Sequence, residues 1–237
     1  MKRSLLLSVI CALLLAGCCT SRPAGRMANC DCHRAVVVPD RAFRNFLVEN
    51  GYAEVYRGKR LKPTEKGCGL VTLECHEQGI GSLCGIEMFP QLRRLTCSDN
   101  PLKELDLSVL PNLEQCYCVD APLQKINLDG CDNLTALWLS HTELRDFDLS
   151  QIPNIETFYC IFSPLAAIDV SVCRHLQTLY IRGTSVEEVD ITQCPDFKEL
   201  HALDSRLERI IVTPEQYGSE IKLSVEDSVK IIVANPK

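Results

Sequence analysis

The stretch from Pro90 to Leu110, PQLRRLTCSDNPLKELDLSVL, runs without a gap into Pro111 to Cys131, PNLEQCYCVDAPLQKINLDGC. Laid over one another, the two strings put apolar residues at the same offsets. The register continues at one constant spacing, in blocks that begin at Pro90, Pro111, Asp132, Pro153, Arg174 and Pro195. The third position is Leu92, Leu113, Leu134, Ile155, Leu176 and Phe197. The sixth is Leu95, Cys116, Leu137, Phe158, Leu179 and Leu200, and the eighth is Cys97, Cys118, Leu139, Cys160, Ile181 and Ala202. The thirteenth, sixteenth and eighteenth positions are apolar in all six blocks. A fixed period of this length is the mark of a stacked repeat, in which no block buries its apolar face alone and neighbours share one core.

Over positions five to nine the side chains alternate, so the sixth and eighth point inward and the fifth, seventh and ninth outward. The pattern L-x-x-L-x-C/L-x-x-N/T/S-x-L, with Leu105-Asp106-Leu107-Ser108 echoed at 147–150 and 168–171, resembles secreted bacterial leucine-rich-repeat proteins of the internalin-like kind. A looser block (Leu73, Cys75, Ile80, Leu83) enters ahead of Leu95, a single position out of step. The resemblance covers about 70–213 and implies a leucine-rich-repeat solenoid. Its curved parallel sheet would be backed by short convex strands or turns, because so short a repeat leaves little room for a helix. Family members carry an asparagine ladder at the eleventh position. Here that column reads Asn100, Ala121, Thr142, Ser163, Thr184 and Ser205, so Thr and Ser are expected to do part of the work.

Solenoid ends need caps. Residues 36–69 form the amino-terminal one: Asp40 is an N-cap for a helix over 41–49, Phe43, Phe46 and Leu47 share a face, and Gly51 fits the stop. At the other end, strands at 210–212, 221–225 and 229–233 are expected to close the stack, with 214–237 as the carboxy-terminal cap.

Residues 1–17 read as an export signal, with Lys2 and Arg3 ahead of a twelve-residue apolar run from Leu5 to Ala16. That run is too short to span a bilayer, which takes about 20 residues. Leu15-Ala16-Gly17-Cys18 resembles the lipobox of bacterial lipoproteins, which implies cleavage before Cys18 and acylation of its thiol and amine. Residues 18–35 are then a tether. The next residue is Cys19 rather than Asp, which points to the outer membrane within the cell envelope. The other reading is an ordinary signal peptide in which Cys18 falls by chance.

The chain has 237 residues, 46% hydrophobic and 24% charged, which excludes a disordered tail and a membrane bundle. Its formal charge of −6 argues against a nucleic-acid partner, since phosphate calls for a basic face. Fifteen cysteines are unusual. Cys97, Cys116, Cys118 and Cys160 fall in core-facing columns. Cys131, Cys173 and Cys194 end their blocks where Leu110 and Ile152 stand in others, so all seven read as small core residues. Cys30, Cys32, Cys68, Cys75 and Cys84 lie outside the strict register. A disulfide from Cys30 or Cys32 to Cys68 is open, as is half a zinc site in Cys30-x-Cys32-His33. Asp106, Asp148, Asp169 and Asp190 hint at a calcium ladder, but one carboxylate per turn is the commoner signature of turn capping. No metal or cofactor is expected. The five histidines stand in no catalytic motif, so the chain is read as a binding protein and not an enzyme.

The seventh position carries the candidate site: Thr96, Tyr117, Trp138, Tyr159, Tyr180 and His201. Five consecutive rings would form a stripe about 20 Å long on the concave sheet. Arg94, Gln115, Thr157, Thr178 and Glu199 flank it on one side, and Val119, Ile161, Arg182 and Leu203 on the other. Such a surface suits a protein partner, with Arg94 and Arg182 beside the rings. Rings also stack on sugars, so a surface glycan or the cell wall is the alternative, and a structural protein without a ligand is a third. Arg57, Lys59, Arg60, Lys62 and Lys66 make a basic cluster in the cap, suited to anionic glycan or lipid headgroups or simply to solvent.

Overall fold

A computed structural model describes residues 34–234. The export signal, Cys18, nearly all of the tether, Cys30, Cys32 and His33 lie outside the described residues. Among those described, no helix is long and apolar enough to cross a membrane.

The chain opens with β1 (Val36–Val37), α1 (Arg41–Glu49), β2 (Ala53–Arg57), β3 (Arg60–Pro63) and α2 (Glu65–Cys68). Asp40 Oδ1 accepts the Phe43 N–H at 2.8 Å, satisfying one of the orphan donors of the first turn of α1. Phe43, Phe46 and Leu47 form its buried face. Gly51, at φ +69°, lets the chain leave the helix through the left-handed region. β1 and β2 both pair antiparallel with β3.

The repeats then build a parallel sheet of eight strands: β4 (Thr72–Glu74), β5 (Arg94–Thr96), β7 (Gln115–Tyr117), β9 (Ala136–Trp138), β10 (Thr157–Tyr159), β11 (Thr178–Tyr180), β13 (Glu199–His201) and β15 (Lys222–Ser224). On the opposite side of some of the turns run short parallel strands. β6 (Glu104–Asp106) pairs with β8 (Lys125–Asn127), and β12 (Glu188–Asp190) with β14 (Arg209–Val212) and β16 (Lys230–Val233). This is a leucine-rich-repeat solenoid. From β5 to β13 the paired residues keep the spacing of the sequence blocks, as in Leu95 with Cys116 and Leu179 with Leu200. The third, sixth, eighth, thirteenth and eighteenth columns are buried in every block.

Polar groups inside the turns are satisfied column by column. Asn100 is 2% exposed; its Oδ1 accepts the N–H of Gln78 and Ile80, and its Nδ2 donates to the carbonyls of Cys75, Cys97 and Ser98. Further along, Thr142, Thr184 and Ser205 hydroxyls each donate to the carbonyl three residues back. Ser163 Oγ accepts the Thr142 N–H at 3.1 Å. On that side of the stack, Asp106, Asp148, Asp169 and Asp190 each accept the backbone N–H two residues on, so these carboxylates close turns.

Two expectations need correction. Cys75 is not outside the register: its N–H donates to the Thr96 carbonyl as the Cys97 N–H donates to that of Tyr117, so it occupies the eighth column one rung earlier. The longer step from Thr72 to its partner Arg94 hides it from the strict period. The strands at the carboxy end do not close the stack either. β15 adds to the edge of the eight-stranded sheet and β16 to that of the β12–β14 sheet, which makes one more rung. All four residues of β16 are exposed, Ile231, Ile232 and Val233 among them.

Removing the Asn100 side chain takes the hydrogen-bond partner from four backbone groups, the N–H of Gln78 and Ile80 and the carbonyls of Cys75 and Cys97, while the Ser98 carbonyl keeps the Glu77 N–H. Asn100→Ala should therefore lower unfolding stability by about 3 kcal/mol or more, read as a drop in the urea midpoint at constant slope.

Candidate functional site

The face of the eight-stranded sheet is organised by its backbone. The N–H after each ring residue donates to the carbonyl of the ring residue on the next rung: Cys118 to Trp138, Leu139 to Tyr159, Cys160 to Tyr180 and Ile181 to His201, at 2.8–2.9 Å. Rings anchored in this way must meet. Tyr117 and Trp138 have centroids 4.0 Å apart and planes 10° apart. Trp138 and Tyr159 stand at 5.5 Å, Tyr159 and Tyr180 at 4.2 Å, and Tyr180 and His201 at 4.0 Å, all stacked. The five rings are half-buried and form one continuous pile. Their faces cover one another, and the ring edges line the surface. Burial and the neighbouring Tyr180 push the Tyr159 phenol up to about 12. At the far end, His201 Nε2 lies 2.8 Å from Glu199 Oε1, and this hydrogen bond holds the Glu199 carboxyl below its usual range.

The flanking columns differ from one another. On the side of strand entry, Arg94 is exposed and makes no ion pair with any described residue, while Gln115, Thr157 and Thr178 are half-buried. The other side is more built. Arg182 Nη2 and Nε lie 2.6 and 2.9 Å from Asp204 Oδ2, and the guanidinium sits 5.3 Å from the Phe162 ring centroid. Val119 and Ile161 are half-buried, and Leu203 is exposed.

The column beyond it, the tenth, escaped the sequence reading. Asp99, Asp120, His141, Phe162, Gly183 and Asp204 all have φ between +50° and +68°. Every rung turns here through the left-handed region. Aspartate and glycine tolerate that conformation, and their recurrence in one column was a legible signal; a phenylalanine does so only under strain. Phe162 is nevertheless kept there at φ +50° and 46% exposed. Its ring lies over Gly183, where an added Cβ would come within 2.3 Å of Phe162 Cδ1. His141 tilts against its other side at 5.3 Å. A shallow open hollow between Asp120, Pro122, Glu143 and these two rings adjoins the patch.

Behind the face lies a cluster of thiols. Cys75, Cys97 and Cys118 occupy the eighth column on successive rungs, and Cys116 faces inward beside them. The Cys97 thiol is pushed well up by hydrogen bonding to Cys116 and Cys118 and by burial. Burial raises Cys75, Cys131 and Cys194 to about 12, and Cys160 and Cys173 to about 11. Among the described residues, no group of three or more potential ligand side chains is arranged to hold a metal.

No family model matches the sequence, and no curated protein does. Solved structures do. The functional domain of InlJ from Listeria monocytogenes, described as including a cysteine ladder, superposes with a TM-score of 0.66 at 22% identity. The match covers 86% of this chain and 50% of that one. A leucine-rich-repeat protein of Leptospira interrogans superposes at 0.51 and 16% identity, covering 62% of this chain and 38% of the other. The chain thus spans half or less of the length of these neighbours, and the likeness is one of fold.

Two outcomes follow from this geometry. Thiols raised in the folded state release their protons first in the unfolded chain. Stability should be full below about pH 9 and fall as pH climbs towards 11–12, seen as a urea midpoint that drops between neutral pH and about pH 10.5. In Tyr117→Ala, Trp138 loses the cover on one face. Its emission should move to the red and acrylamide quenching should rise, with a stability loss of about 1 kcal/mol.

Proposed function

We propose that this chain is a lipid-anchored leucine-rich-repeat protein of the cell envelope, a docking module that binds another protein through the ring-bearing sheet face and its Phe162–Arg182 border. The observation that carries the reading is Phe162. A phenylalanine held in strained backbone, half in water, beside an oriented arginine and the exposed Leu203, is a cost to the isolated chain. Burial under a partner offsets it. Aromatic and arginine side chains ordered before binding are the usual anchors of protein interfaces.

The same geometry weighs against a glycan. Sugar recognition by aromatic residues uses the open ring face. Trp138 has Tyr117 on one face and Tyr159 on the other, and only the two ends of the pile have a free face. The pile also contributes to folding, at about 0.2–1 kcal/mol per cross-strand pair, and that role is compatible with binding.

Anchoring at Cys18 and an outer-membrane address rest on the sequence alone. Leucine-rich-repeat solenoids commonly serve as interaction scaffolds, which agrees with a non-enzymatic role.

The test uses envelope and host protein extracts on one arm and a polysaccharide panel on the other, with Trp138 emission and acrylamide quenching as the readout. A protein ligand should protect Trp138 and lose about tenfold or more in affinity in each of Phe162→Asp, Arg182→Glu and Leu203→Asp, with Arg94→Glu weaker. A polysaccharide that protects Trp138 and binds these variants unchanged would overturn the reading.

A further inference from the structure

The amino-terminal segment carries a second surface, distinct from the ring face. Residues 54–60 are exposed without interruption. They form the end of the β2–β3 hairpin, turned by Gly58 at φ +54°. Val55 and Tyr56 stand 64% and 59% exposed, among the most exposed large apolar side chains described. A register shift between Val55 and Arg57 breaks the strand's alternation at Tyr56. Arg57 faces Arg60 directly across the hairpin, Lys59 lies in the turn, and Lys62 follows. Glu54 stands opposite Lys62 in the register, but none of these four cations forms an ion pair with a carboxylate among the described residues. Like charges placed opposite one another in a hairpin are unfavourable unless an anion joins them. Lys66, the fifth member of the cluster in the sequence, is otherwise engaged: its Nζ donates to the Asn50 carbonyl and lies over the Tyr52 ring.

The charge of the chain is polarised around this feature. Residues 36–69 hold seven lysines and arginines against four acidic residues, whereas residues 70–237 hold 13 against 26. The chain also enters the fold here, since β1 pairs with β3 through Val37 and Arg60. Seventeen residues lie between Cys18 and Val36, a reach of at most about 60 Å.

We infer that the β2–β3 hairpin is a membrane-surface contact, with Val55 and Tyr56 entering the interfacial layer of a bilayer and Arg57, Lys59, Arg60 and Lys62 lying on anionic phospholipid headgroups. Tyrosine suits the headgroup level, and lysine and arginine keep their charges in the phosphate layer while their stems lie along apolar neighbours. The acidic solenoid is repelled by the same surface, so the contact orients the repeats away from it and leaves the ring face open. The inference adds to the proposed anchoring at Cys18 but is tested apart from it.

The experiment uses the chain from Arg34 onward, which contains every described element and the whole described core and carries no anchor. It is sedimented with vesicles of phosphatidylcholine alone or with about 30% phosphatidylglycerol, at low salt and at about 0.5 M NaCl. Binding should require the anionic lipid, weaken in high salt and fall by about fivefold for each cation removed, so about 25-fold in Arg57→Gln/Arg60→Gln. Val55→Ser/Tyr56→Ser should weaken binding to the same vesicles while leaving the salt dependence in place. All four positions are exposed, and unchanged circular dichroism verifies folding. Equal binding to both vesicles, no binding to either, or indifference to Arg57→Gln/Arg60→Gln overturns the inference. So does binding to soluble heparin without binding to anionic vesicles, which would assign the cations to a glycan. Lipid labelling of the full chain, compared with Cys18→Ser, reports on the anchor separately.

Discussion

The rung-to-rung hydrogen bond is the constraint from which the rest follows. Each turn hands its backbone N–H groups to the carbonyls of the next, at one unchanging step through the central rungs. Once that step is fixed, every residue stands over its counterpart, and composition along a column becomes a physical quantity. Apolar columns become core, Asx columns close turns, and a column of rings becomes a pile. A single block offers none of these, because its apolar positions meet only solvent until neighbours supply the other wall.

The ring column shows how strongly this geometry limits chemistry. Strands in a sheet lie about 4.8 Å apart, close to the stacking distance of aromatic rings. Five rings at one position per rung therefore have little choice but to lie face to face, as the centroid distances of 4.0–5.5 Å record. A surface that reads in the sequence as five separate aromatic anchors is one rigid body with its edges outward. What it offers a ligand is a hydroxyl-bearing ridge, and apolar contact comes from its border at Phe162, Ile161 and Leu203. On the proposed reading, specific recognition shifts from the rings to the column beside them.

Much of the fold was legible because inward positions obey simple alternation. Leu95 and Cys97 point in and Arg94 and Thr96 outward for the same reason that any strand alternates, and Asp40 heads its helix through a local hydrogen bond. What was not legible depended on neighbours beyond the local string. Cys75 sits one residue off the period, in a block the sequence marks only loosely, and its pairing with Thr96 fixes its column. The strands β15 and β16 have the composition of a closing element, yet whether they cover the stack or extend it is decided by which edges they pair with. Phe162 looks like an ordinary turn residue until its backbone angle and the space above Gly183 are known. The ring column was thus legible in the sequence, while Phe162, on which the proposed reading leans most, was not.

A core so rich in cysteine looks at odds with an exported protein, where oxidising surroundings favour disulfides. The stacking itself removes the conflict. In-register parallel strands keep equivalent Cβ atoms near the strand spacing of about 4.8 Å, beyond the roughly 3.5–4.5 Å that a disulfide needs. Cys97 and Cys118 can pack and share a hydrogen bond, yet they can be joined only if two rungs move together and the ladder on either side is strained. Burial adds a kinetic barrier, since the thiolate is the reactive form and Cys75, Cys131 and Cys194 hold their protons up to about 12. The thiols in these columns are free and buried, and they pack as small apolar side chains.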